Sequence, residues 1–118
     1  MGKLTTHVLD TAHGCPAAGM HVTLSRLEAN GAATLLKTVV LDADGRAGGP
    51  MLEGVALLAG RYRLVFAVSA YFTARGTAQA EPPFLGEVPL EFGIASAESH
   101  YHVPLLVSPW SYSTYRGS

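Results

Sequence analysis

The chain has 118 residues, enough for one compact core, and sets the expectation of a single domain spanning residues 1–118. Apolar residues make up 48% and charged residues 14%, too apolar for a disordered chain and rather apolar for a small monomer, so part of the surface is expected to meet another subunit. Eight Lys and Arg stand against nine Asp and Glu, a formal charge of -1 with no run of one sign, which leaves no electrostatic footprint for nucleic acid or an anionic membrane.

Cys15 is the sole cysteine, so neither an internal disulfide nor a thiolate-built zinc site is available. The opening residues pass straight into an alternating pattern with no basic segment leading into an apolar stretch, and no apolar run approaches the ~20 residues of a membrane span. A reducing, cytoplasmic setting is the expectation.

The dominant hydrophobic period is two. Residues 4–10 alternate Leu4, Thr6 and Val8 against Thr5, His7 and Leu9, and residues 20–26 alternate in the same way. Residues 35–41 form a third predicted strand, ended by the Asp-Gly turn at 42–45, and Gly48, Gly49 and Pro50 discourage regular structure after it. Residues 60–68 place Tyr62, Leu64 and Phe66 on one face. Ser69 is a candidate N-cap for the one predicted helix, with Gly76 placed to end it. Residues 87–94 read as a strand whose Pro89 predicts an edge position, and strands over 100–107 and 112–118 flank a turn at 108–111. Many short strands with one short helix predict an all-β, two-sheet antiparallel sandwich.

Five histidines bring groups with an ordinary pKa of ~6.5 into this framework. His100 and His102 leave the same side of a strand that continues through Pro104 and Leu106, while His7 and Leu9 share one face of the first strand. His7, His100 and His102 together could be read as three zinc ligands, but no carboxylate in those motifs completes or orients such a set. Arg46, just after the Asp-Gly turn, can project a guanidinium toward a ligand carbonyl or anion. Ser113, Tyr115 and Gly117 continue an alternation to the end of the chain, which favours a docked tail over a frayed one. No nucleophile elbow or Gly-rich phosphate loop is present, so the chemistry left is proton transfer by histidine with charge stabilisation by arginine.

The opening Leu4-Thr5-Thr6-His7-Val8-Leu9-Asp10, with Gly14-Cys15-Pro16-Ala17-Ala18-Gly19, resembles the first signature of the transthyretin-related family. The stretch from His100-Tyr101-His102 through Ser108-Pro109-Trp110-Ser111-Tyr112 to Tyr115-Arg116-Gly117-Ser118 resembles that family's enzymatic branch, the 5-hydroxyisourate hydrolases. The likeness runs from Leu4 to Ser118 and is weakest over residues 47–58. In the hormone-carrying branch the positions of His7, Arg46 and His102 hold lysine, glutamate and threonine, and the tail differs. The resemblance implies a transthyretin-like sandwich that assembles as a homotetramer, a dimer of dimers, with a channel between the dimers. Lining that channel would be His7, Leu9, His102, Pro104, Leu106, Ser113 and Tyr115.

The same resemblance implies hydrolysis of 5-hydroxyisourate to 2-oxo-4-hydroxy-4-carboxy-5-ureidoimidazoline in urate degradation, with no metal or organic cofactor. His7 and His102 would activate water and transfer protons, and Arg46 would orient the substrate and favour the anionic transition state. Leu9, Pro104, Leu106, Ser113, Tyr115, Arg116, Gly117 and Ser118 would bind the substrate. Two other readings stand beside it: a transthyretin-like carrier for a small aromatic ligand, which needs neither the histidines nor the tail, and an immunoglobulin-like interaction domain, which explains neither.

Overall fold

The computed structural model describes all 118 residues. One layer of the sandwich is the four-stranded sheet β5-β4-β7-β8, built from β4 (His21–Leu27), β5 (Ala33–Val40), β7 (Gly60–Phe66) and β8 (Val88–Ile94). The other consists of two short sheets, β6-β1-β9 and β11-β10-β2-β3. Here β1 (Lys3–Thr5) and β2 (Val8–Asp10) are halves of one extended segment, as are β9 (His100–His102) and β10 (Leu105–Ser108). Three two- or three-residue strands complete it: β3 (Cys15–Pro16), β6 (Leu52–Glu53) and β11 (Ser111–Ser113). The pairings are antiparallel except where β1 lies parallel to β9 and β2 to β10.

Period-two patterning turns one face of each layer inward. Leu4 and Val8, Val22 and Leu24, Tyr62, Leu64 and Phe66, and Tyr101, Val103, Leu105 and Val107 all fall in a core of 21 buried apolar residues. Thr5, His7, Leu9, His102 and Leu106 take the alternate positions and stay half-buried. Pro89 sits in β8, at the sheet edge, as its missing N–H requires.

The helix spans Val68–Ala74 and buries Tyr71 and Phe72. Its N-cap is Ala67, not Ser69, and no side chain caps it; the Ser69 N–H instead donates to the Gly86 carbonyl, 3.0 Å away. The last strand is shorter than alternation predicts, ending at Ser113, after which the tail makes only an isolated bridge between Gly117 and His102. No helix is long and apolar enough to cross a membrane.

One charged group lies fully inside. The Asp10 carboxylate is 0% exposed and accepts from the Tyr71 hydroxyl at 2.8 Å, the His13 N–H at 3.0 Å and His13 Nδ1 at 2.6 Å, tying the end of β2 to the helix. Burial pushes its pKa up, but the bonds from Tyr71 and His13 outweigh that and hold it below 3.8. Removing a donor from a buried carboxylate exposes its full desolvation cost. Tyr71→Phe is therefore expected to lower the unfolding free energy by about 1–3 kcal/mol, measured by urea titration at neutral pH; an unchanged midpoint would show the bond to be dispensable.

Candidate functional site

The site lies on the outer face of the layer containing β1, β2, β9 and β10. Strand register arranges it in rows. Thr5 pairs with His102, which in turn bridges Gly117, so these three residues cross the face in line. Leu9, Leu106 and Ser113 form a second row across β2, β10 and β11. His7 falls between the rows, two residues from each, and bridges Arg46.

A tight loop carries Arg46. The Asp42 carboxylate accepts from the N–H groups of Asp44 (2.9 Å) and Arg46 (3.1 Å), and the Asp42 N–H donates to the Arg46 carbonyl at 2.8 Å. Gly45 lets this loop press onto β2: its φ is +74°, its carbonyl accepts from the Val8 N–H at 2.9 Å, and a Cβ there would lie 2.5 Å from the Val8 oxygen. His7 locks to the same loop by donating from Nε2 to the Asp44 carbonyl, 2.8 Å away. Since a carbonyl only accepts, that nitrogen carries the proton and Nδ1 is the free one.

His102 is held differently. Its Nδ1 lies 2.8 Å from the Thr5 hydroxyl, and its main chain exchanges two hydrogen bonds with Gly117, at 3.2 and 2.7 Å. Burial first, and then the nearby Arg46 guanidinium and His7, hold the pKa of His102 below 6.5, so the ring is neutral at neutral pH and able to accept a proton. Thr5, His102 and Ser118 line a cleft of about 220 Å³ with Lys3, His100 and Tyr101.

The tail is docked. The Thr114 hydroxyl donates to the Pro104 carbonyl at 2.7 Å, and the Arg116 guanidinium donates to the His100 carbonyl at 3.2 Å while lying 4.4 Å from the centre of the Tyr101 ring. Not every predicted site residue meets the others within one chain. Pro104 is buried, whereas Tyr115 and Arg116 border a separate groove of about 410 Å³ with Leu90, Phe92 and Val103. The three histidines do not gather: no group of three or more His, Cys, Asp or Glu side chains could hold a metal ion.

The sequence reading assigned Thr5 no site role and took Asp44 and Gly45 only as a turn. The alternation that puts His7 outward puts Thr5 there too, so Thr5 had a signal. Asp44 acts through its carbonyl, which no side-chain pattern announces.

Known proteins share this fold. The model for the HIUase/Transthyretin family matches residues 4–117. The chain belongs to that family. A relative from Rhizobium meliloti named 5-hydroxyisourate hydrolase 2 is 56% identical over 99% of this chain and 97% of its own, and a mouse 5-hydroxyisourate hydrolase is 45% identical over 98% and 94%. Among solved structures, sea bream transthyretin in complex with thyroxine superposes with a TM-score of 0.86 at 32% identity, over 98% of this chain and 94% of its own. An (S)-allantoin synthase superposes with a TM-score of 0.94 at 50% identity over 99% of this chain, which spans only 44% of that longer one.

Two causes of the depressed His102 pKa can be separated. Its titration midpoint, followed by NMR, is expected below 6.5, and Arg46→Gln should move it upward while burial still keeps it under that value. A wild-type midpoint at or above 6.5, or one indifferent to Arg46, would contradict the electrostatic description.

Proposed function

We propose that this protein hydrolyses 5-hydroxyisourate to 2-oxo-4-hydroxy-4-carboxy-5-ureidoimidazoline, a step of urate degradation, in the cytoplasm and as a homotetramer. The observation that carries the reading is the convergence of His7, His102 and Arg46 on one open sheet face, with His102 held neutral by burial and by the other two. Opening a cyclic amide with water requires a base for the attacking water, charge stabilisation for the oxyanion and a proton for the departing nitrogen. A neutral His102 can take the water proton, Arg46 stabilises the negative charge on the former carbonyl oxygen, and a histidine returns the proton to the ring nitrogen as the carbon–nitrogen bond breaks. Leu9, Leu106 and Ser113 form the floor against which a flat polar ring lies, and Gly117 and Ser118, beside His102, close one side.

Assembly would complete the site. A shallow cleft open to water is a weak place to stabilise charge, and a second copy facing this sheet would exclude solvent. The exposed Phe84, Trp110 and Tyr112 supply apolar surface of the kind an oligomer covers. No proton-transfer groups are needed by a carrier, which is the strongest ground for preferring catalysis.

The test is the ultraviolet absorbance decay of freshly generated 5-hydroxyisourate. Micromolar protein is expected to accelerate it, and His7→Asn and His102→Asn are each expected to reduce the catalysed rate by ~100-fold or more, the scale of general acid–base contributions. A decay unchanged by wild-type protein would remove the hydrolase reading and leave the carrier.

A further inference from the structure

The two histidines are tied down through opposite ring nitrogens, and by partners of different chemistry. His7 gives its Nε2 proton to a carbonyl, which fixes its tautomer outright. The Nδ1 of His102 meets a hydroxyl, a group able to donate or accept, and its Nε2 makes no hydrogen bond within the chain. For Nε2 to be the basic nitrogen of a neutral ring, Nδ1 must carry the proton, and that proton needs an acceptor. The only side chain within hydrogen-bond distance of it is Thr5.

We propose that Thr5 is a positioning residue of the site: its hydroxyl oxygen accepts the Nδ1 proton of His102 and so leaves Nε2 as the nitrogen that takes the proton from water. This deepens the hydrolase reading and rests on it. Two observations carry the assignment. Thr5 and His102 are direct partners in the β1–β9 ladder, so their side chains stand side by side on the open face. The opposite flank of the imidazole is closed by Gly117: a Cβ there would lie 3.0 Å from His102 Cβ, 3.3 Å from Cδ2 and 3.5 Å from Cγ. The ring is thus confined between a hydroxyl and a bare backbone, and a side chain in place of the glycine would crowd the ring next to it, although its φ is not in the left-handed region.

The partner's neutrality also matters. A carboxylate at this place would favour the imidazolium and raise the pKa, whereas a hydroxyl holds the Nδ1 proton without neutralising the ring's basicity in advance. When Nε2 takes a proton from water, whose oxygen bonds to the substrate carbonyl carbon, the ring becomes an imidazolium with Nδ1–H still donating to Thr5. When Nε2 returns that proton to the departing nitrogen, the original tautomer is restored, with no net change in the protein.

Long-range ¹H–¹⁵N NMR of the labelled full chain reads the tautomer directly, with His102 assigned by the signals lost in His102→Asn. The neutral wild-type ring is expected as the Nδ1–H tautomer. Thr5→Val should give a mixture of tautomers, and should lower kcat by about 10-fold with KM within about twofold, because only a fraction of the rings is then competent. Thr5→Ser should restore both the spectrum and kcat. A wild-type ring protonated on Nε2, or a Thr5→Val protein with wild-type spectrum and kcat, overturns the proposal. Should Thr5→Val fail to fold, the wild-type spectrum and Thr5→Ser still decide: Nδ1–H in both supports it, and Nε2–H in either overturns it. The spectrum needs no turnover, so loss of the hydrolase reading and loss of the Thr5 assignment remain separate results.

Discussion

Everything on the open face depends on the register in which residues 3–10 lie parallel to residues 100–107. Side chains alternate along a strand, so a slip of one residue would bring Tyr101 outward and send His102 into the core. A buried hydroxyl pins that register: Thr6, 3% exposed, donates to the Val103 carbonyl at 2.7 Å, at the level where both extended segments are interrupted. Main-chain bonds on either side, Val103 N–H to the Thr5 carbonyl and Leu105 N–H to that of His7, each at 2.9 Å, carry the pairing across the break. An unpaired hydroxyl in the core is costly, so slipping the strands would forfeit this bond as well as the packing of Leu4 and Tyr101.

From that register follows the electrostatic character of the site. His102 is partly desolvated by its place in the sheet and feels Arg46 and His7, both brought near by the loop that Asp42 and Gly45 shape. Three basic groups on one face favour developing negative charge, and burial together with the nearby Arg46 keeps one imidazole neutral. The sandwich itself does not dictate this outcome. Sea bream transthyretin, in complex with thyroxine, has nearly the same fold, so the fold alone does not decide what this face does.

Much of this was legible in the amino-acid order. Alternation around His7 and His102 gave the faces of the two segments except at Pro104, which lies at the break between β9 and β10 and is buried; Pro89 marked an edge strand, and the Asp-Gly turn placed Arg46 in a loop. Other features were hidden because they depend on distant parts of the chain. Thr5 and His102 are 97 residues apart, and no local pattern encodes which residue of one strand faces which of the other. The helix start at Val68 was missed because the Ser69 backbone bonds to Gly86, far along the chain, in place of the local capping that its side chain advertises. Period two also overextended the last strand: residues 114–117 dock through Thr114, Arg116 and the Gly117 backbone without forming a continuous ladder. Nothing in the order of residues announces that Tyr71 and His13 make Asp10 a buried junction.

On the hydrolase reading, His7 and His102 form one catalytic unit created by strand register and loop docking. A double-mutant cycle on kcat/KM for 5-hydroxyisourate tests it most directly. Groups that act together show strongly non-additive losses, because removing the first already disables the step that needs the second. The account predicts that His7→Asn combined with His102→Asn is little slower than the more damaging single variant. Losses that multiply in full would mean that the two histidines contribute independently, and would contradict it.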